Sequence, residues 1–260
     1  MSPSASTPSP RSPLQSGWES LDPTWGSIGS LRVPLDFGDP DGEAARLSRL
    51  ALADLSILPK VGVKGQRAAQ WLESLSVNVP ERVYGCHDSD RDGLVARLDV
   101  GEFFLEAPVA STGQEKSAVE RVSTALAKET ESGVTNVYRV ERQDASLLLC
   151  GKEAHKVLEQ TCGYHFRMGN QQIGKNKEPS EPRAKQSSRD VVLTRVAGVS
   201  ATVRALDLVA GDRSRGVPAF RVWTSPCYGL YLWKVISEIV RDLGGGPVGL
   251  RGLVNTNGEG

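Results

Sequence analysis

The sequence predicts an α+β fold made of two related halves, with mixed or antiparallel sheets and packed helices. Three observations predict it. A strand–glycine–helix passage occurs twice without a gap, at a constant offset of 86 residues, as "VGVKGQRAAQWLE" and "LLLCGKEAHKVLE". Gly65 thereby meets Gly151, Ala68 meets Ala154, Leu72 meets Leu158 and Glu73 meets Glu159, while Val61 and Val63 meet Leu147 and Leu149. Alternating apolar positions typical of hairpins surround both copies. Finally, a long helix with one apolar face closes the chain, and such a face needs a sheet or a second helix to cover it.

In order, residues 1–42 read as a disordered arm, because the Pro/Ser-rich "MSPSASTPSPRSPLQSG" cannot bury enough apolar surface to offset the entropy of ordering it. Trp18 and Trp25 in "GWESLDPTWG" would either dock on a partner or fold back on the body. Residues 43–255 form the folded domain, with related halves at 43–110 and 134–255. "ILPKVGVKG" (57–65) predicts a strand, ended by Gly65, and Ala68, Ala69, Leu72 and Leu75 then recur at helical spacing. "GLVARLDVGEFFLEAP" (93–108) predicts a hairpin turning at Val100-Gly101. Residues 114–130, polar and rich in helix formers, predict a solvated surface helix.

"VTNVYRVERQDASLLLCG" predicts a second hairpin, with "RQDA" as its turn, followed by a helix whose C-cap is Gly163. Residues 167–190 lose all apolar periodicity and gather Lys175, Lys177, Arg183, Lys185 and Arg189. They predict a mobile basic loop, either touching an acidic partner surface or simply solvated. "VVLTRVAGVSATVRALDLV" is rich in β-branched residues and should pair with "AFRVWTS". In "SPCYGLYLWKVISEIVRDLGGG", Ser225 is placed as N-cap, Pro226 as the first helical residue and Gly244 as the stop. Tyr228, Leu232, Val235, Ile236, Ile239 and Leu243 share one predicted face.

Thirty-one basic and 31 acidic residues balance, so the molecule has no long-range field to gather nucleic acid or anionic lipid. No stretch approaches the length of a membrane-spanning segment and the N-terminus lacks a signal-peptide core. Four cysteines without a CxxC pair suit a reducing compartment, hence a cytoplasmic protein.

Candidate chemistry is sparse. "GGGPVG" follows a helix and so reads as helix termination, not as a phosphate cradle. Cys86-His87 and Cys162 with His165 place thiol and imidazole together in each half, but the spacing is wrong for common structural zinc sites. Cys150 and Cys162 read as buried small hydrophobes, and His155 as a helix-surface residue. Asp54, Asp99 and Glu102 are the carboxylates available to hold a pterin, and none is singled out by its neighbours. No catalytic residue and no metal ligand is assigned, and cofactor-binding residues stay unassigned.

The phrases "DLS", "KGQRAAQWL", "GEFFLE", "GKEAHKVLEQTCGYHF", "TRVAGVSATV" and "FRVWTSPCYGLYLWKVISEIV" run in an order that resembles the aminomethyltransferase superfamily. Within it, the chain is most similar to the gamma-subunit family of heterotetrameric sarcosine oxidase, over roughly residues 46–250. The resemblance implies a folate-binding-type α+β duplication lacking the C-terminal barrel. It also implies a non-catalytic subunit that itself carries no cofactor, in a complex that demethylates sarcosine oxidatively and passes one-carbon units to tetrahydrofolate. Flavins, NAD and tetrahydrofolate would belong to larger partner subunits. The alternative is a stand-alone folate-binding protein, in aminomethyl transfer or iron–sulfur maintenance. The relatives' "KGC" signature is absent: Cys227 in "SPCYGLYLW" lacks the preceding Lys-Gly.

Overall fold

A computed structural model describes residues 11–28, 31–109, 116–132, 136–166, 190–208 and 216–254. The chain begins with α1 (Gln15–Trp18), a single 3₁₀ turn and the hairpin β1 (Thr24–Ile28) and β2 (Leu31–Asp36). Next come α2 (Pro40–Arg49) and β3 (Ala51–Asp54). The first half continues as β4 (Lys60–Lys64), α3 (Ala68–Ser74), β5 (Cys86–Ser89), β6 (Gly93–Asp99), β7 (Glu102–Glu106) and α4 (Ala118–Ser132). After β8 (Tyr138–Val140), the second half runs β9 (Ala145–Cys150), α5 (Ala154–Thr161), β10 (Val191–Val196), β11 (Val199–Leu208), β12 (Val217–Thr224) and α6 (Pro226–Asp242). Two short elements close it, β13 (Gly246–Pro247) and α7 (Leu250–Val254).

The strand order shows how the halves relate. One sheet runs β5-β6-β7-β4-β8 and the other β10-β11-β12-β9-β3, with β13 added at its edge. The ladder is the same in both, and each half lends the strand that precedes its own first strand to the other half's sheet: β3 pairs with β9, and β8 pairs with β4. The local turn repeats as well. Gly65 sits at φ +152° and Gly151 at φ +118°, a region open to glycine alone. Each glycine donates its N–H to a neighbouring segment (to Gly101 and Pro218), while its carbonyl accepts from the alanine three residues on.

Alternation assigns the faces. On the first sheet Val61, Val63, Val95, Phe103 and Leu105 point toward α3 and α4, whose Ala68, Leu72, Val119 and Val122 complete one core. On the second, Leu147, Leu149, Phe220 and Val222 meet Val157, Leu158, Leu232 and Trp233 of α5 and α6. The opposite face of the second sheet is covered partly by β2, α2 and α7, and partly by the first sheet, where Trp223 meets Phe104 edge to face at 5.7 Å.

Several expectations need correction. Residues 11–28 and 31–42, expected as part of a disordered arm, are folded: Leu14 and Trp18 are fully buried in the α5–α6 core, and residues 1–10 of that expected arm lie outside the described residues. The helix expected at 114–130 is not a solvated one; it runs Ala118–Ser132, and its short apolar side chains Ala118, Val119 and Val122 fill a core. β8 and β9 are not a hairpin, because they belong to different sheets. The predicted strand at 57–65 shortens to β4, with Ile57 and Leu58 in the preceding turn. α5 ends at Thr161 with an extended Cys162, and Gly163 does not take the left-handed conformation of a glycine C-cap. The 167–189 part of the predicted basic loop lies outside the described residues.

α6 follows its prediction closely in extent, with Ser225 at N-cap, Pro226 in the first turn and Gly244 at φ +74°. Ser225 makes no side-chain cap bond. The buried face is rotated from the predicted one: Gly229, Leu232, Trp233, Ile236 and Val240 are inside, whereas Tyr228 is half exposed. Leu232→Ala is therefore expected to lower unfolding stability by about 2–5 kcal/mol, and Tyr228→Ala by less than about 1 kcal/mol, in paired denaturant titrations.

Candidate functional site

The polar centre of the molecule lies between the two sheets. β4 and β7 are in register with Lys60 opposite Glu106, and both side chains point away from the α3–α4 core because Val61 and Leu105 occupy that side. From the second sheet, Arg221 and Trp223 project toward them on alternate positions of β12, while Phe220 and Val222 face the helices. The Glu106 carboxylate takes an ion pair with Arg221 on Oε2, the Trp223 indole N–H on Oε1 at 3.0 Å, and Lys60 Nζ at 3.3 Å. Arg221 also donates to Ser146 Oγ at 2.9 Å, and Lys60 to the carbonyls of Ser56 and Leu58, each at 2.9 Å.

Two cations thus share one carboxylate away from water. Burial pushes the Glu106 carboxyl up, but Arg221 and Lys60, helped by the hydrogen bonds from Trp223 and Ser146, outweigh it and hold it below the usual range. Lys60 is the weaker partner. Burial, joined by repulsion from Arg221, depresses its ammonium against the pull of Glu106. Both Glu106 oxygens are engaged by the chain's own donors, so the central acid has a structural role: it ties the sheets together and offers a ligand little capacity. A second ion pair, Arg204 to Asp88 at 2.5 Å, joins the same sheets further along.

Beside this network, residues of β10, β11 and β12 line an open concavity of about 460 Å³. Trp223 forms part of its lining, with Thr202, Thr224, Ser225 and the oppositely charged Asp144 and Arg195 around it.

The three carboxylates that the sequence leaves available to a pterin lie elsewhere. Asp54, buried at the end of β3, accepts from Ser12 Oγ, from Trp18 Nε1 at 2.9 Å and from the Ser56 N–H at 2.9 Å, and so fastens the N-terminal segment. Asp99 accepts from the Val100 N–H in the β6–β7 turn. Glu102 pairs with Lys64 at 3.1 Å and Arg142 at 2.9 Å. None of the three lines the concavity. Glu106, Lys60 and Arg221 were missed by sequence reading; their only signal is a charged residue at the end of, or within, an otherwise apolar strand pattern.

The thiol–imidazole pairs do not assemble into a site. Cys86 is buried and desolvation pushes its thiol up to about 11, while His87 follows it on the strand and points to the other face. Cys150 is buried as well, at about 12 for the same reason. Cys162 packs near Thr194, its sulfur 3.5 Å from Oγ1, and His165 is exposed. Among the described residues no group of three or more His, Cys, Asp or Glu side chains could hold a metal ion. Cys227 alone of the four cysteines is exposed. Ellman's reagent is expected to titrate one thiol per native chain and four in denaturant, with mass spectrometry placing the native label at Cys227.

"GGGPVG" terminates α6 and then supplies β13, whose Gly246 and Pro247 pair in parallel with Ala51 and Leu52. Among the described residues no helix is long and apolar enough to cross a membrane.

A scan against protein-family models finds no match, and neither does a search of curated protein sequences. Solved structures do match. The glycine cleavage system aminomethyltransferase T from Bartonella henselae superposes with a TM-score of 0.60 at 14% identity, over 93% of this chain and 60% of that one. The chain thus spans about three-fifths of that protein's length. A chain of heterotetrameric sarcosine oxidase from Corynebacterium sp. U-96, in complex with pyrrole 2-carboxylate, superposes with a TM-score of 0.52 at 14% identity, over 80% of this chain and 94% of that one. What is shared is the fold, mixed α+β with antiparallel and mixed sheets; among the described residues of this chain no sheet closes into a barrel.

Proposed function

We propose that this chain is a non-catalytic, gamma-type subunit of a heterotetrameric sarcosine oxidase-like complex. Oxidative demethylation of sarcosine and one-carbon transfer to tetrahydrofolate would be carried out by larger partner subunits bearing flavins, NAD and the folate. The observation that carries this reading is the saturation of Glu106 by Lys60, Arg221 and Trp223. Among the described residues, the enclosed acid between the sheets holds the fold together, where a catalyst or a pterin site would keep it available. The 94% coverage of the matched oxidase chain adds support, since that chain is of similar length and not one of much larger size.

Affinity purification of the full chain from its native cell tests the proposal. Larger chains with flavin absorbance should co-elute in fixed ratio, and the eluate should oxidise sarcosine. Elution of the chain without flavin protein would overturn it.

The second reading, a stand-alone folate-binding protein in aminomethyl transfer or iron–sulfur maintenance, is favoured by the concavity beside Trp223. It predicts that the isolated chain binds a reduced folate with quenching of tryptophan emission. The subunit reading expects no such titration.

A further inference from the structure

The N-terminal segment is packed as a strap. Leu14 and Trp18 are buried in the core that also holds Leu50, Leu52, Leu147 and Trp233, with Leu14 beside Gly229 of α6, and the Trp233 indole donates to the Gly17 carbonyl at 3.2 Å. Yet the polar hold on this apolar insertion is narrow. One oxygen of the buried Asp54 carboxylate, Oδ2, accepts both the Ser12 hydroxyl and the Trp18 indole N–H, and the Ser12 oxygen in turn accepts the Leu14 N–H at 3.0 Å. The bonded serine lies in "PRSPL", half-buried, with Arg11 and Pro13 exposed on either side of it.

We propose that Ser12 is a phosphorylation site for a proline-directed serine kinase and that its modification releases the strap from Asp54. Transfer takes place on the open strap, because the hydroxyl is engaged when it is closed. The Ser12 oxygen attacks the γ-phosphorus of a magnesium-bound nucleoside triphosphate. The new O–P bond forms as the β–γ phosphoanhydride breaks, the nucleoside diphosphate leaves, and the hydroxyl proton passes to the kinase's base. The product cannot restore the closed contact. It places a group of charge near −2 where a hydroxyl had donated to a carboxylate, so a hydrogen bond becomes a like-charge contact with the buried Asp54. The donor of Trp18 then shares its acceptor with a repelling neighbour. Opening uncovers the part of α6 around Gly229 and Trp233 on which the segment lies.

The test uses the full-length chain, a purified proline-directed kinase with magnesium ATP, and hydrogen exchange read peptide by peptide. Phosphate on Ser12, located by fragment mass, should speed exchange of residues 14–18 at least tenfold and leave α5 and α6 protected. Ser12→Glu should do the same without the kinase. Asp54→Asn in the Ser12→Glu background should restore protection by removing the like charge, and Ser12→Ala should keep the strap closed. The proposal fails if the kinase leaves Ser12 unmodified, if the modified or Ser12→Glu strap keeps its protection, or if Asp54→Asn brings no recovery. Loss of protection in α6 together with the strap also overturns it, since the segment would then not open as a separate unit.

Discussion

Glu106→Gln is expected to lower the unfolding free energy by about 3–5 kcal/mol, because it leaves Lys60 and Arg221 buried without their counter-charge. For a chain of this size that corresponds to a fall in Tm of roughly 10 °C, measurable by calorimetry. The amide can still accept from one neighbour, so the loss isolates charge more than shape. The pH dependence gives a second signature. The Glu106 carboxyl is held below its unfolded value in the native protein, so its stabilisation is complete above the unfolded carboxyl range and is lost as pH falls through the depressed native value. Wild-type stability should therefore fall on the acid side by an increment that Glu106→Gln lacks. Parallel acid limbs in the two proteins would show that the carboxylate is not the tie between the sheets.

The other large effect is expected at the repeated turn. A Cβ on Gly151 would lie 2.3 Å from the Arg49 carbonyl oxygen, at a φ of +118° that L-residues avoid. Gly65 is tighter still, with the Asn136 carbonyl oxygen 1.9 Å from an added Cβ at φ +152°. Both obstacles are backbone, and neither turn can yield without moving the segment packed on it. Gly151→Ala and Gly65→Ala should each cost on the order of 3 kcal/mol or more, or abolish soluble expression. Gly163→Ala is the control: nothing lies within 4 Å and φ is ordinary, so its effect should stay within about 1 kcal/mol. Equal tolerance at all three positions would remove the physical basis for the repeated turn.

The repeat was legible in sequence for the same reason that these substitutions are costly. A glycine forced to positive φ and a small alanine three residues later are local requirements, and local requirements leave a mark at fixed spacing. α6 was legible too, since its start, stop and period are set within seventeen residues. Its buried face was misread by one position, because hydropathy cannot tell a half-exposed tyrosine from a buried tryptophan on neighbouring stripes. The N-terminal segment was misread for a different reason. Its composition is that of a disordered arm, but Leu14 and Trp18 find a prepared apolar slot, and Asp54, 36 residues beyond Trp18, takes the indole proton.

The candidate site was hardly legible at all. Glu106 and Arg221 are 115 residues apart and belong to different sheets, and each alone looks like an ordinary charge at a strand position. The acids that the sequence left available, Asp54, Asp99 and Glu102, are engaged in the strap, in a turn and in ion pairs with Lys64 and Arg142.

By itself, the sequence determined what a short window can encode: the α+β class, the doubled strand–glycine–helix unit, the extent of α6 and the pairing of β6 with β7 and of β11 with β12. Only the tertiary structure decided which strands cross into the other half's sheet, which acid is buried among cations, and that the N-terminal segment is a strap. The reason is physical. Backbone φ and apolar periodicity act over a few residues, whereas pairing partners and desolvation depend on what is brought alongside, and no single window of sequence contains both members of such a contact.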